Sequence, residues 1–267
     1  MSRTSLIIIN WIALVITLTV NALANFLPIN GHNPAELSAM YPNLFVPAGF
    51  TFGIWGFIYL LITLHVLYSM YILSNAKRSA NEIGLLVKRV KPLFCITCIS
   101  KVAWIFAWHF LLIWLSVLIM ITLFVTLLLI FRQITCADKE IKLGYMEHIS
   151  LETPFIIYFS WIAVALIANI TALLVSKGWH PANGITWSCV MISVAAIIGV
   201  LLSLFWHRPA YTAVIIWAVF GIYSKHGESS SMIANTAVTA CVFCLMAAGI
   251  GFWNKRKLLF RPSVQAD

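Results

Sequence analysis

The sequence predicts an all-α membrane protein, a helical bundle of about eight transmembrane helices with N- and C-termini cytoplasmic. Three observations carry this. Of 267 residues, 62% are hydrophobic and 9% charged, whereas a soluble domain carries about a quarter charged. The apolar residues gather in long runs, most of them near the roughly 20 residues that cross a bilayer as helix. The basic residues, which set a net charge of +9, lie in short stretches between the runs, as the loops on the cytoplasmic side do.

Eight runs are read, at 5–26, 48–73, 93–109, 111–131, 153–176, 185–205, 210–224 and 232–253. The third and fourth are nearly continuous. A single helix over 93–131 would be about 58 Å long, too long for one crossing. A tight turn is therefore predicted near His109 and Phe110. The basic residues test the count. With the N-terminus inside, inner segments hold 14 of the 17 lysines and arginines, outer loops hold Lys177 and Lys225, and Lys101 lies within a run. Seven crossings would leave the basic C-terminus outside, against the rule.

The same distribution argues for membrane orientation and anionic headgroups rather than for nucleic acid. Most of the six cysteines lie inside apolar runs, so no disulfide framework is implied. Arg3, an apolar run and Ala22-Leu23-Ala24 imitate a secretory signal, but the run is long enough to span uncleaved. The stretch 28–46 is a long outer loop without Lys or Arg, either a lid or a passive connector. The polar stretch 132–152 reads as a cytoplasmic linker or a short surface helix.

Two stretches point to a site. Tyr41 to Tyr59 runs from a polar loop into Pro47, which suits a helix start, and then places Phe50, Phe52, Trp55 and Tyr59 in the first turns. Trp55 and Tyr59 are four apart and share a face, and Phe52 joins it. In the fifth run Tyr158, Trp161, Ala165 and Asn169 follow at spacings of three, four and four, which sets them along one helical stripe. Asn169 is polar in an apolar run, so its amide faces either another helix or a ligand. Ala165 allows close approach. A weaker echo joins these stretches to a third: Pro47, Pro154 and Pro209 precede Trp55, Trp161 and Trp217 by eight, seven and eight residues. Helix-starting prolines and interfacial tryptophans produce the same look without any duplication.

The third run carries Lys101, Trp104 and Trp108, with His109 after them. A lysine at membrane depth is costly and marks a functional hypothesis. No acid lies deep in any run; Glu152 borders the fifth. Three fates are open to Lys101: snorkelling to the inner face, stacking on Trp104, or pairing with an acidic ligand. The two Cys-x-x-Cys pairs lack His or Asp neighbours and read as small apolar residues, so no metal site is expected. No phosphate loop, nucleophile elbow or paired carboxylate occurs, and no catalytic residue is assigned. The missing membrane acids also weaken a proton-coupled transporter.

These motifs resemble the TspO/MBR family, the tryptophan-rich sensory proteins related to the mitochondrial translocator (peripheral benzodiazepine receptor) protein, in its longer, divergent bacterial branch. Pro47, Phe50, Trp55 and Tyr59 look like the family's path from first loop to second helix. Tyr158, Trp161, Ala165 and Asn169 match its fifth-helix pattern position for position. The third helix is similar but poorer: Trp104 fits, while Lys101 stands where the family usually has asparagine. Ile157 replaces the proline expected before the tyrosine. The resemblance covers roughly 5–176. It divides the chain into a TspO-like five-helix core, 1–176, and three additional helices with a basic tail, 177–267.

The resemblance implies a pocket closed by the first loop, binding flat hydrophobic molecules such as tetrapyrroles or sterol-like lipids. Its expected lining is Pro47, Phe50, Trp55, Tyr59, Lys101, Trp104, Trp108, Tyr158, Trp161, Ala165 and Asn169. A tetrapyrrole would be a ligand there; no resident cofactor is implied. The expected partners are that ligand and membrane lipids, with a homodimer as a further arrangement, in a bacterial inner membrane. The leading expectation is a binding or sensory protein without catalysis. Its rivals are a tetrapyrrole or lipid transporter and, because porphyrin breakdown has been attributed to the family, a membrane enzyme acting on porphyrins.

Overall fold

The computed structural model describes residues 3–27, 29–179, 183–206 and 208–259. The regular elements among them are all helical. Besides two 3-10 turns, Ile29–Gly31 and Gly49–Gly53, they are α1 (Arg3–Phe26), α2 (Pro34–Ala39), α3 (Ile54–Ser74), α4 (Ala76–Ala80), α5 (Glu82–His109), α6 (Ile113–Ile141), α7 (Tyr145–Glu147), α8 (Thr153–Ser176), α9 (Gly184–Trp206), α10 (Ala210–His226) and α11 (Ser231–Leu259). A π-helical turn, His148–Glu152, leads into α8.

Seven helices among the described residues are long and apolar enough to cross a membrane. The run expected at 210–224 forms α10, whose 17 residues span about 26 Å, short of the roughly 30 Å hydrocarbon layer. The turn expected near His109 is present. Phe110 N–H donates to Phe106 O at 2.9 Å, and Leu111 reverses the chain at φ 59°. α5 begins at Glu82, well before the expected 93, because Asn81 caps it by accepting from Gly84 N–H at 2.8 Å. It then runs through Pro92. Much of the stretch 132–152 continues α6 rather than forming a linker.

The chain forms two compact units: Met1–Asn43 with Phe52–His180, and Leu44–Thr51 with Pro181–Asp267. The first holds five long helices, α1, α3, α5, α6 and α8. Their outward faces are apolar, as Ile12, Leu60, Ile99 and Leu118 illustrate. Some of their hydroxyls turn back onto their own helix, Thr63 to Tyr59 O at 2.8 Å and Ser160 to Ile156 O at 2.7 Å. This satisfies those hydroxyls within their own helix.

Small residues bring the helices of the second unit together. Ala195, Ala196, Ala240 and Ala247 are buried, and Ser203 Oγ donates to Ala247 O at 3.2 Å, joining α9 to α11. Such residues let membrane helices approach closely. The segment Leu44–Thr51 lies on α10 within this unit. Ala48 N–H donates to Gly221 O at 3.0 Å, and Trp217 Nε1–H to Thr51 O at 2.9 Å. Gly221 is required by that approach, since a Cβ there would collide with Thr51 Oγ1 and Pro47 Cβ.

Candidate functional site

The first unit gathers the expected aromatics. Trp55 and Tyr59, one turn apart on α3, stack at 5.7 Å with 22° between planes. From α8, Tyr158 and Trp161 meet Trp55 edge-on, at 5.8 Å and 6.3 Å. Phe52 closes the group against Trp161 at 6.3 Å. These T-shaped contacts set the positive ring edges against the negative faces. The 3–4 spacing on both helices makes this convergence possible, because it turns one stripe of each toward the other.

Lys101 extends the group onto α5. Its Nζ stands 3.5 Å from the Trp55 ring centroid and 4.5 Å from that of Trp104. The side chain is 2% exposed, so it does not snorkel. No carboxylate of the described residues forms an ion pair with it. An ammonium over two indole faces is a cation–π arrangement, stronger when desolvated. Trp104 then stacks on Trp108 at 5.8 Å and 14°.

The first-loop residues of this unit pack against Trp108. Asn33 caps α2 in a reciprocal box: its Oδ1 accepts from Glu36 N–H at 3.0 Å, and its own N–H donates to Glu36 Oε2 at 2.9 Å. Pro34 at the first helical position fits this cap. α2 inserts Leu37, fully buried, into a cluster with Trp108, Ile113 and Ala172. Tyr41 packs on Trp108 at 6.0 Å, and burial pushes its phenol above the ordinary value. Asn30 Nδ2 donates to His109 O at 2.9 Å. The loop is therefore docked on the ends of α5, α6 and α8.

Asn169 lies at the centre of a polar node. Its Oδ1 accepts from Trp104 Nε1–H at 3.0 Å, and its Nδ2 donates to Ser116 Oγ at 2.9 Å. The amide thus joins α8 to α5 and α6 and fixes the Trp104 ring, the helix-to-helix use the sequence had left open. Ala165 lies one turn past Trp161, half-buried. Pro47 and Phe50 are placed otherwise. Both belong to the second unit, where Phe50 packs edge-on against Trp217 at 5.6 Å and Phe220 at 5.9 Å.

Two donors in the aromatic group have no partner. Trp161 Nε1–H and Tyr59 OH are buried without a hydrogen-bond acceptor among the described residues. Buried donors are rarely left so, because each orphan costs about 1–3 kcal/mol. With Lys101 they form a set of hydrogen-bond donors around stacked rings. Such a set suits a flat apolar body carrying an acceptor or a negative charge.

Folding also assembles a group the sequence did not reveal. Asp138, near the end of α6, meets His148 and Glu152 of the π turn. The four-residue spacing of His148 and Glu152 was its single local signal; Asp138 joins only through the reversal at Lys142, φ 49°.

No curated protein and no solved structure matches the chain. The sequence model of one family does, that of the TSPO-like proteins, and it matches residues 7–250. The match reaches well beyond 176, so the family's pattern takes in α9, α10 and most of α11 rather than stopping at the first five long helices. A match over nine-tenths of the chain, on a protein whose Trp55, Trp104 and Trp161 converge, shows that it belongs to the TSPO-like family of integral, multi-pass membrane proteins.

Proposed function

We propose that this protein binds flat hydrophobic molecules bearing a carboxylate, with tetrapyrroles the best fit and sterol-like lipids the second class. The reading rests on one observation: Trp161 Nε1–H and Tyr59 OH lack hydrogen-bond acceptors among the described residues, and the Lys101 ammonium stands over the Trp55 ring beside them. Planar rings suit the indoles of Trp55, Trp104 and Trp161. A propionate suits the Lys101 ammonium, since charge-assisted bonds are roughly twice as strong as neutral ones. α2 and Tyr41 act as the lid.

The protein senses or carries its ligand rather than transforming it. α10 makes the eighth crossing, helped by local thinning of the bilayer at a short helix. Both termini then lie in the cytoplasm of a bacterial inner membrane, with 14 of 17 basic residues inside.

The test is quenching of tryptophan fluorescence by protoporphyrin and by its dimethyl ester. Free-acid protoporphyrin should bind, and Lys101→Met should weaken it about tenfold or more, as loss of a charge-assisted bond does. The ester should bind wild type and variant alike. Equal affinity of both proteins for the free acid would refute the role of Lys101. Absence of saturable quenching by either compound, and by a sterol panel, would refute the binding reading itself.

A further inference from the structure

We propose that Asp138, His148 and Glu152 form a binding site for a divalent transition-metal cation, with zinc(II) the ion of best chemical fit. The three side chains come from two elements. Asp138 lies near the end of α6, where Leu143 N–H donates to its Oδ1 at 3.0 Å and holds the carboxylate in place. His148 and Glu152 begin and end the π-helical turn before α8. π turns are rare and recur at functional sites.

The three side chains are gathered around the His148 ring. His148 Nε2 is 3.6 Å from Asp138 Oδ1, and Nδ1 is 2.6 Å from Glu152 Oε2. One ligand atom of each residue lies within 4.8 Å of the others. Ligands at about 2.0–2.2 Å from tetrahedral zinc stand roughly 3.3–3.6 Å apart. The Asp138–His148 pair is already near that separation. The His148–Glu152 contact uses the other ring nitrogen, and an ion takes only one, so the imidazole and the Glu152 carboxylate must turn to bring one nitrogen and both carboxylates to a common point. A spacing of four residues on one turn is the one by which helices direct two side chains at a single metal.

Charge and ligand type select the ion. Two carboxylates and a neutral imidazole match a doubly charged cation. Imidazole with carboxylate suits zinc, manganese or iron, whereas calcium and magnesium favour oxygen alone. The Glu152 side chain is 2% exposed, with His148 and Asp138 at 16% and 18%. The site is thus sheltered on one side and open on the other, so an ion can enter and a water can fill the fourth position. Outer contacts hold the turn: the His65 ring Nδ1–H donates to Ser150 O at 3.1 Å, and Thr153 Oγ1 to His148 O at 2.9 Å. Such second contacts orient metal ligands elsewhere. An ion bound here would tie the end of α6 to the start of α8.

Without metal, the same groups make a row in which the imidazole bridges two carboxylates, and the experiment separates the two. Untagged protein in detergent is stripped with chelator and titrated with cobalt(II). The proposal requires saturable visible d–d bands that zinc(II) abolishes, and a thermal midpoint that zinc raises and chelator restores. His148→Gln and Glu152→Gln should each weaken cobalt binding by roughly tenfold or more while keeping wild-type helical circular dichroism. No saturable bands in the wild type would overturn the proposal, whether or not the variants fold. So would unchanged affinity in His148→Gln, or near-ultraviolet thiolate charge-transfer bands that assign the ion to cysteines.

Discussion

Trp161 and Trp217 look alike in the sequence and differ in the fold. Each follows a proline at a helix start, Pro154 by seven residues and Pro209 by eight. Trp217 donates its indole N–H to Thr51 O at 2.9 Å and packs edge-on against Phe50. Trp161 is 3% exposed, has two aromatic neighbours, and has no acceptor for its N–H among the described residues. The first is an anchor that fixes a segment of backbone. The second is a buried donor within a ring cluster. Trp104 supplies the intermediate case, its N–H taken up by Asn169. A matched indole therefore marks architecture, and on the proposed reading the unmatched Trp161 marks where a ligand would complete the protein.

The largest effect on stability should come from the Asn169 node. Asn169→Leu removes two interhelical hydrogen bonds at once and leaves the Trp104 N–H without its acceptor. Interhelical bonds in membranes average about 0.6 kcal/mol, and a buried orphan donor adds about 1–3 kcal/mol. A loss of about 2–3 kcal/mol is expected, read as a lower thermal midpoint in detergent. If the variant is as stable as wild type, Asn169 faces a ligand rather than the helices, and Trp104 joins Trp161 as an open donor.

Lys101 should act in the opposite direction. Its ammonium is buried over two indoles, without a protein carboxylate. Replacing buried charge by an apolar side chain of similar volume often stabilises, by about 1–4 kcal/mol for ion pairs. Lys101→Met should raise the midpoint of the ligand-free protein by about 1–2 kcal/mol in equivalent stability while weakening binding of carboxylates. A variant that loses both stability and binding would make Lys101 a packing residue. Trp217→Phe comes next, with an expected cost of about 1 kcal/mol, since one bond to Thr51 O is lost. Ligand affinity should stay unchanged. An altered affinity would collapse the contrast between anchor and unmatched donor.

Helix periodicity carries much of this, and it stops at the identity of partners. The 3–4–4 stripe of Tyr158, Trp161, Ala165 and Asn169 was legible, because one face of one helix is a local property. That Asn169 would meet Trp104 and Ser116 was not, because it depends on how α5 and α6 pack. Lys101 was left between three fates for the same reason. Pro47 and Phe50 belonged to the same motif stretch as Trp55, yet their contacts are with α10, more than 160 residues onward. Only Gly221, small enough to admit Pro47 and Thr51, hints at that approach. The length of α10 was readable from Pro209 and Gly227 at its ends. The early start of α5 was hidden, because a capping Asn81 can extend a helix into polar sequence.

The sharpest use of the comparison is its smallest stability effect. Trp161→Phe deletes the unmatched N–H and keeps a large aromatic ring against Phe52 and Trp55. No protein acceptor is orphaned by the change, so the desolvation cost that burdens Trp217→Phe does not arise. The smaller ring leaves a modest void, offset by relief of the buried, unbonded donor, and the midpoint should move by no more than about 0.5 kcal/mol. Binding should respond differently. A ligand acceptor that meets the indole N–H loses one neutral hydrogen bond, about 0.5–1.5 kcal/mol, so protoporphyrin affinity should fall about three- to tenfold. Parallel thermal and fluorescence titrations of Trp161→Phe and Trp217→Phe decide the matter. If Trp161→Phe destabilises the ligand-free protein as much as Trp217→Phe does, its N–H already has a partner in the membrane. The donor would then belong to the fold and not to a ligand.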